Sequence, residues 1–432
     1  MLQYSWVVLL AICCVAHAAA PVSPEEAKAR IEEIRTADVT LTVLDAAGKP
    51  LAGAAVNVKQ TRHKFLFGCN AFLIDTNDKS PDQLAYEKAY AELLNYATLP
   101  FYWGFYEPEE GKPQAEKLRM MAQWCADNHI RAKGHPLCWH EVPAKWQADK
   151  PLDDIRTLQL GRITREVKGF SGLINTWDVV NEAVVMPKHD PAKNRIAQLC
   201  GKLGTVELIK QTFATAREAN ATATLLLNDF DTSPKYEELI KGCLDAGVSI
   251  DVIGIQSHMH GGYWGAEQAW AVCERFAKLG KPLHFTEVTI ISGEMKKNIN
   301  WQGHYSDWLS TPEGEKRQLD QVTEFYRTLF SHPAVAGITW WDFSDKGAWL
   351  GAPSGLVRKD MSPKPAYDAL LKMVKQEWWT APQTLTADAD GKVKFHGFLG
   401  EYAVESAGAR ATVQVDTAGK AELSTKLSTA KP

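Results

Sequence analysis

Two glutamates that close strand-like runs are the residues of this sequence best suited to chemistry. Glu182 follows the apolar run Ile-Asn-Thr-Trp-Asp-Val-Val-Asn (174–181), and Glu287 lies about 105 residues later in the run Pro-Leu-His-Phe-Thr-Glu-Val-Thr-Ile (282–290). Burying an unpaired carboxyl costs on the order of several kcal/mol, so a chain seldom places one at the tip of a buried strand without a use. Two carboxyls on two parallel strand ends are the pair that glycoside hydrolysis uses.

Other strand-like runs also end on polar side chains. The polar ends are His135 and His140, Asn181, Asn228 with Asp229, Gln256 with His258, Thr286, and Asp342 beside Trp341. In a closed parallel barrel the chemistry lies at the carboxyl ends of the strands, so these side chains are expected to meet.

The elements that must position them are eight strand-like runs that alternate with helical segments. The runs cover 63–70, 95–103, 130–139, 174–183, 223–230, 252–258, 283–290 and 337–343. This alternation predicts an α/β fold, a closed (β/α)8 TIM barrel. An open doubly wound sheet is the alternative, but it normally carries a glycine-rich phosphate turn after its first strand, and Phe-Gly-Cys-Asn-Ala (67–71) is not one.

The segments on either side of the barrel predict a small accessory β-module. Ser23 and Pro24 begin a short amphipathic helix, and two runs with period two (38–45 and 54–60) predict a β-hairpin or part of a small sandwich. Four short strands follow residue 379 and are expected to pack with the N-terminal strands. We therefore divide the chain into a signal peptide (1–20), an N-terminal helix and β-hairpin (21–62), a catalytic barrel (63–376) and a C-terminal β-module (377–432).

The first twenty residues resemble an export signal. A short apolar run (7–15) precedes the small residues Ala-His-Ala-Ala-Ala (16–20), and the run is too short to span a bilayer comfortably. We expect a secreted or periplasmic protein that is free of the membrane after cleavage, with an uncleaved anchor as the alternative.

Composition excludes several classes of partner. The 432 residues carry a net charge of -4 and no basic tract, so neither nucleic acid nor an anionic membrane is an expected partner. Six cysteines lie beyond the signal segment and none forms a Cys-x-x-Cys pair, which argues against a zinc ribbon or a redox motif. Export permits disulfides, and buried free thiols are equally compatible with the sequence.

Five motifs together resemble glycoside hydrolase family 10, the retaining β-xylanase family. The motifs are Gly-His-Pro-Leu-Cys-Trp-His (134–140), Trp-Asp-Val-Val-Asn-Glu-Ala (177–183), Gly-Ile-Gln-Ser-His (254–258), Phe-Thr-Glu (285–287) and Ile-Thr-Trp-Trp (338–341). The resemblance covers roughly residues 63–375, and the strand order agrees with that of the family throughout. The resemblance implies a retaining β-glycosidase that acts on xylan or a related β-glycan polysaccharide or oligosaccharide. It needs no cofactor, and we expect a monomer.

The resemblance also implies roles for individual residues. Glu182 is implied as the general acid/base and Glu287 as the nucleophile, with carboxyls about 5–5.5 Å apart. His258 is implied to hydrogen-bond Glu287 and keep it anionic, and Asn181 to hold the sugar 2-hydroxyl. The other implied substrate-binding residues are His135, Trp139, Gln256, Trp341 and Trp349.

Two alternatives from other classes stay open. A non-catalytic carbohydrate-binding barrel would have no need of both Glu182 and Glu287. A metal-dependent hydrolase could use His258 and His260, which are spaced to face the same way on a strand, but no third ligand has suitable spacing and we expect no metal site.

The sequence departs from the family pattern after the second strand. The family's Glu-Asn-x-x-Lys element is missing, and 95–108 is about two residues shorter. Aromatic residues replace the polar ones: Phe101, Tyr102, Trp103, Phe105 and Tyr106. We expect an aromatic floor there and altered recognition of the non-reducing side of the substrate, because aromatic surfaces discriminate weakly between sugars. A smaller departure is Ser344, where the family often has a basic residue.

Overall fold

The computed structural model of the protein describes residues 23–429. The predicted signal peptide (1–20) lies outside these residues. Within the described part of the chain, no helix combines the length and apolar character needed to cross a membrane.

The described chain begins with a helix and two strands. Helix α1 (Pro24–Arg35) is closed by a capping box, in which the Ser23 hydroxyl accepts from the Glu26 amide while the Glu26 carboxylate accepts from the Ser23 amide. Strands β1 (Thr36–Leu44) and β2 (Ala55–His63) follow, each with alternate residues buried.

A closed barrel of eight parallel strands forms the centre of the molecule, which confirms the predicted fold. The strands are β3 (Leu66–Asn70), β4 (Tyr96–Pro100), β5 (Arg131–His135), β6 (Ile174–Asn181), β7 (Thr224–Asp229), β8 (Val252–Met259), β9 (Leu283–Ile290) and β10 (Val335–Trp340). Their bodies are almost wholly buried, and β10 pairs with β3 to close the ring.

Helices between the strands cover the outside of the barrel. They are α2 (Pro81–Leu93), α3 (Trp103–Tyr106), α4 (Ala115–Asp127), α5 (Leu152–Gly169), α6 (Arg195–Leu203), α7 (Thr205–Ala219), α8 (Pro234–Asp245), α9 (Gly265–Ala277), α10 (Pro312–Phe330) and α11 (Pro365–Lys372). Three of them start with proline after a hydroxyl cap, at Ser80, Ser233 and Thr311, which is the chemistry that favours a sharp helix start.

The accessory module is a two-sheet β-sandwich rather than a hairpin packed on strands. Its C-terminal strands are β11 (Gln383–Thr386), β12 (Lys392–Phe398), β13 (Gly400–Ser406), β14 (Ala409–Val415) and β15 (Gly419–Lys426). One sheet has the order β12-β1-β15 and the other β11-β2-β13-β14.

Of the two predicted alternatives for these strands, the β-hairpin is wrong and part of a small sandwich is what the structure has. Strand β1 already has a partner on each edge, β12 and β15, so β2 cannot pair with it and joins the opposite sheet. The chain ends thus contribute to both sheets, as expected for a module built from N- and C-terminal segments. The predicted boundaries at 62/63 and 376/377 stay predictions.

The six cysteines of the described residues are all buried and unpaired. Burial raises the pKa of Cys138 and of Cys125 to about 12, which keeps both as thiols.

Arg35 ties the sandwich to the bottom of the barrel. At the end of α1, its guanidinium donates to the carbonyl oxygens of Phe330, His332 and Val335 at 2.9, 2.7 and 2.8 Å. The same group stacks over the rings of Phe65 and Phe330. A guanidinium is favoured at these carbonyls because they lie at and just beyond the C-terminus of α10, the negative end of its dipole.

We expect Arg35→Met to lower the free energy of unfolding by about 2–4 kcal/mol, because it leaves three carbonyls without their charged donor. Urea unfolding followed by tryptophan fluorescence measures the change. Arg62→Met is the control, since Arg62 forms a half-exposed pair with Glu401 at 3.1 Å and is expected to change stability by less than about 1 kcal/mol. An equal effect of the two variants would contradict this account of Arg35.

Candidate active site

The polar strand ends meet at the carboxyl end of the barrel. Strand β6 ends at Asn181 and Glu182 follows it, while β9 carries Glu287 and β8 carries Gln256 and His258. The structure brings all nine predicted site residues together. They are Glu182, Glu287, His135, Trp139, Asn181, Gln256, His258, Trp341 and Trp349.

Glu287 is held by two direct side-chain contacts. His258 Nε2 lies 3.0 Å from Glu287 Oε2, and Asn228 Nδ2 donates to Oε1 at 2.8 Å. His258 Nδ1 lies 3.0 Å from the Thr289 hydroxyl, which can donate to it and so leave the proton on Nε2. Both glutamate oxygens therefore accept hydrogen bonds, which favours the ionised form.

A buried chain of charges lies beneath Glu287. Lys133 Nζ forms an ion pair with Asp178 Oδ2 at 2.6 Å, and His135 Nδ1 contacts the same oxygen at 2.7 Å. The other nitrogen of His135, Nε2, lies 4.0 Å from Glu287 Oε1. Burial opposes ionisation of Asp178, but Lys133 and His135 outweigh it and lower the pKa of the Asp178 carboxyl.

Burial and the neighbouring groups also act in opposite directions on Glu287, and the carboxyl stays ionised. Burial by itself would raise the pKa of Glu287, whose side chain is 5% exposed. The hydrogen bond from His258 and the electrostatic effect of His135, His258 and Lys133 act in the opposite direction, and the pKa of Glu287 falls below its ordinary value.

Glu182 has different surroundings. Its Oε2 accepts from Trp139 Nε1 at 2.8 Å, and its Oε1 accepts from Gln256 Nε2 at 3.1 Å and from Asn181 Nδ2 at 3.2 Å. All three donors are neutral. The Glu182 backbone has φ +56°, a strained conformation for a residue with a side chain and one that is often found at functional sites.

Burial and, second, the negative charge of Glu287 raise the pKa of Glu182 to about 8. The hydrogen bonds from Gln256 and Trp139 only partly offset this. At neutral pH the site therefore holds one protonated and one ionised carboxyl, the division of roles that acid-base chemistry requires.

A chain of amide groups links the two glutamates. Asn228 Nδ2 donates both to Glu287 and to Asn181 Oδ1, the latter at 2.7 Å, and Gln256 Nε2 also donates to Asn181 Oδ1 at 3.1 Å. Thr286 Oγ1 donates to Asn228 Oδ1 at 2.5 Å and fixes the amide orientation. Hydrogen bonds through Asn181, Asn228 and Gln256 thereby connect the two carboxyls.

The cleft has two parts with different walls. The inner pocket, a cavity of about 370 Å³, contains both glutamates between Trp341, Tyr102 and Phe72. Tyr102 packs against Phe72 and Trp139 with ring centroids 5.8 and 5.5 Å apart. Asp342 also lines this pocket, and burial raises its pKa to about 6.

The outer groove is a cavity of about 620 Å³ that contains Glu182 but not Glu287. Its exposed aromatic residues are Phe230, 50% exposed, and Trp301, 47% exposed. Trp301 packs on Trp349 with ring centroids 5.5 Å apart, and the loop that carries it has its own small core around Ile291 and Trp308.

Only part of the expected aromatic floor lies in the cleft. Tyr102 and Phe105 line the inner pocket, and Phe105 is 68% exposed. The expectation was wrong for Phe101, Trp103 and Tyr106, which are buried, because α3 turns two of them into the space between the barrel and α5. Glu166 accepts from the Tyr106 hydroxyl there at 2.5 Å.

Sequence reasoning missed the supporting charges. Lys133 lies two residues before His135 on the same strand, so the spacing alone indicates that both side chains face the barrel interior. Asp178 is buried within the same motif as Glu182, and Asn228 was noted only as a strand end. Asp342, to which the sequence assigned no role, lines the inner pocket, and Trp264 lines the outer groove.

His258 and His260 do not form a metal site among the described residues. His258 is engaged with Glu287 and Thr289, and His260 is fully buried between Trp301, Trp308 and Trp349. Burial and the neighbouring His258 lower the pKa of His260 far below its ordinary value, so this ring is neutral.

Comparison with known proteins gives a single family. The family model described as "Glycosyl hydrolase family 10" matches residues 61–373. Solved structures share the fold: xylanase 10B of Thermotoga petrophila in complex with xylobiose has a TM-score of 0.61 at 23% identity, covering 73% of this chain and 95% of that one. A GH10 endoxylanase from a sugarcane soil metagenome has a TM-score of 0.62 at 20% identity, covering 72% of this chain and 97% of that one.

Curated relatives are distant. The anti-sigma-I factor RsgI6 of Acetivibrio thermocellus is 25% identical over 92% of this chain and 47% of its own length. The endo-1,4-β-xylanase/feruloyl esterase of Xylanibacter ruminicola is 27% identical over 72% of this chain and 46% of its own length. The chain thus spans less than half the length of these two relatives.

Removing the charge of Glu287 should lower the pKa of Glu182. In Glu287→Gln we expect the Glu182 pKa to fall from about 8 yet to stay above the ordinary glutamate value, because burial persists. Carboxyl ¹³C NMR titration measures it, and the Glu182→Gln spectrum assigns the resonance. An unchanged or raised value would mean that the two carboxyls are not electrostatically coupled.

Proposed function

Because the chain belongs to glycosyl hydrolase family 10, we propose that it hydrolyses β-1,4-linked xylan or a related β-glycan with retention of the anomeric configuration. The observation that carries this proposal is the pair of buried glutamates with pKa values shifted in opposite directions, Glu182 upwards and Glu287 downwards. A retaining glycosidase needs one protonated acid and one ionised nucleophile, with carboxyls about 5–5.5 Å apart.

In the first step Glu287 attacks the anomeric carbon. A bond forms between a glutamate oxygen and the sugar while the glycosidic bond breaks, and Glu182 gives its proton to the departing oxygen. The hydrogen bonds from His258 and Asn228 keep Glu287 ionised and aimed before attack. The alcohol of the released chain leaves through the outer groove, and Glu182 is now ionised.

In the second step Glu182 acts as a base. It takes a proton from water, the hydroxide oxygen bonds to the anomeric carbon, and the ester bond to Glu287 breaks. Both glutamates return to their starting states. The side chain of Glu182 is 14% exposed and that of Glu287 only 5%, which agrees with the need of Glu182 alone to meet water.

Asn181 supports binding of the reacting sugar. Its carbonyl oxygen accepts two hydrogen bonds from protein groups, and its amide nitrogen uses one hydrogen on Glu182. The second hydrogen of that amide nitrogen is available for the sugar 2-hydroxyl, a contact that strengthens in the transition state. His135 borders the same position with its Nε2, since Asp178 holds its Nδ1.

The two parts of the cleft take different parts of the substrate. Glu287 lines the inner pocket but not the outer groove, so the sugar that it attacks binds in the inner pocket. The outer groove receives the leaving chain. Several relatives are named endo-1,4-β-xylanase, among them that of Thermotoga neapolitana at 26% identity, so xylan is the first substrate to test.

Recognition of the donor chain relies on unusual residues. Where an amide and a lysine are expected, the inner pocket offers the rings of Tyr102 and Phe105, and the Asp342 carboxyl lines the same pocket. Aromatic rings stack on any sugar face, whereas a carboxyl selects for hydroxyl groups, so we propose a tolerant donor side that accepts decorated xylan or another β-linked glycan.

The non-catalytic alternative is not favoured, because a barrel that only binds a glycan has no use for carboxyls held in opposite protonation states. Export to the periplasm or the medium through residues 1–20, and action as a monomer, remain parts of this proposal.

Substitution of Glu182 and substitution of Glu287 should reduce turnover for two different reasons. We expect Glu182→Gln to lower kcat/KM on beechwood xylan by about 10²–10⁴-fold, because the leaving oxygen departs without a proton. Glu287→Ala should lose turnover altogether. Added azide should restore turnover of an aryl β-xyloside, and the product should be a glycosyl azide of inverted configuration. Reducing-sugar release and ¹H NMR measure these effects.

The matched control for both variants is Glu238→Gln, an exposed glutamate on α8 that is expected to keep full activity. Full activity of Glu287→Ala would refute the assignment of the nucleophile.

Phe105 should affect the binding of long substrates only. We expect Phe105→Ala to raise KM for xylo-oligosaccharides by about two- to tenfold with little change in kcat, because ring stacking stabilises ground state and transition state alike. The kinetic constants for an aryl β-xyloside with one sugar should not change in Phe105→Ala. The control is Leu84→Ala, which removes another exposed apolar side chain and should change the constants for no substrate. Equal losses on short and long substrates would contradict a role on the donor side.

A further inference from the structure

A cluster of three metal-binding side chains borders the outer groove. His140 and Glu141 lie in the loop after β5, and His189 follows a short helical turn (Met186–Lys188) after β6. One ligand atom of each residue lies within 4.8 Å of the others. From this geometry we propose that His140, Glu141 and His189 bind a divalent transition-metal ion such as Zn²⁺, which inhibits the enzyme.

The three side chains are already gathered around one point. Glu141 Oε1 lies 3.2 Å from His189 Nε2, and the two imidazole rings have centroids 4.3 Å apart. Gln302 Nε2 donates to Glu141 Oε1 at 3.3 Å and holds the carboxylate on this side of the groove. Glu141 and His189 are both partly exposed, so rotamer changes can bring their atoms to metal-binding distance.

His140 supplies the second, independent observation. Its ring is 1% exposed, and its Nδ1 is buried without a hydrogen-bond partner. Its Nε2 lies 3.9 Å from Glu182 Oε2, too far for a hydrogen bond. A buried ring nitrogen without a partner is costly, and a metal ion would satisfy it.

The donor set suits a metal. Two imidazoles and one carboxylate form a set of ligands that suits Zn²⁺. The three residues line the outer groove together with Glu182, so an ion reaches them from that groove.

Inhibition follows from the place of the cluster and rests on the proposed function. The three ligands line the outer groove beside Glu182, so a bound ion occupies space that the leaving chain uses. We therefore expect Zn²⁺ to lower kcat/KM.

The test is calorimetric titration of the chelator-treated full-length protein with zinc chloride, alongside inhibition of aryl β-xyloside hydrolysis. We expect one ion per chain and equal constants from both methods. Glu141→Gln and His189→Ala should each weaken binding by at least about tenfold. His140 is left intact because its burial means that a substitution there can disturb folding.

The control is His396→Ala, which removes a histidine that contacts Glu32 and Asp38 through different ring nitrogens and so cannot focus them on one ion. It should bind zinc like the wild type. No zinc binding, or binding that survives Glu141→Gln and His189→Ala but is lost in Glu287→Gln, would overturn the proposal.

The proposed function is tested separately in the same samples. Full activity in EDTA leaves the retaining mechanism intact whatever the zinc result. Loss of activity in EDTA would instead refute the metal-free mechanism itself.

Discussion

The ionisation of Glu287 in a buried site is the condition on which the rest of the site depends. A carboxylate that is 5% exposed would take up a proton if burial were the only influence, and His258, Asn228 and the Lys133–Asp178–His135 chain prevent this. Buried charges contribute little to stability, and breaking one pair leaves the partner uncompensated, so these residues are better explained by the chemistry they permit than by the fold. Burial raises the pKa of Glu182, and the charge of ionised Glu287 raises it further, so the two carboxyls are held in opposite protonation states.

The barrel was predictable because each strand is a short apolar run with a polar end. This pattern is visible in the sequence alone and needs no knowledge of tertiary contacts. The same pattern located Glu182, Glu287, Asn181, Gln256 and His258, whose positions at strand ends bring them together once the barrel closes. The N-terminal hairpin failed for a related reason. Period-two alternation identifies a strand but not its partner, and β1 takes its partners from the strands β12 and β15 at the other end of the chain.

The other errors concern loops. The aromatic residues between 101 and 106 form a continuous surface only if the backbone is extended. The short helix α3 instead buries Trp103 and Tyr106 and leaves Tyr102 and Phe105 in the cleft. The cluster of His140, Glu141 and His189 depends on where the loops after β5 and β6 meet, which no local pattern encodes. Both cases place the proposed specificity and the proposed metal site in the loops, while the two glutamates lie at strand ends, as is common in barrels of this kind.

The most direct test of the account is to trap the intermediate. The protein is incubated with a 2-deoxy-2-fluoro-β-xylobioside that carries a good leaving group. The masses of the intact protein and of its proteolytic peptides are then measured by mass spectrometry. The account predicts one fluoro-xylobiosyl group per chain, attached to the peptide that contains Glu287, because the fluorine slows hydrolysis of the covalent intermediate more than departure of an activated leaving group. Release of the leaving group with no adduct and an inverted sugar product, or an adduct on another residue, would contradict it.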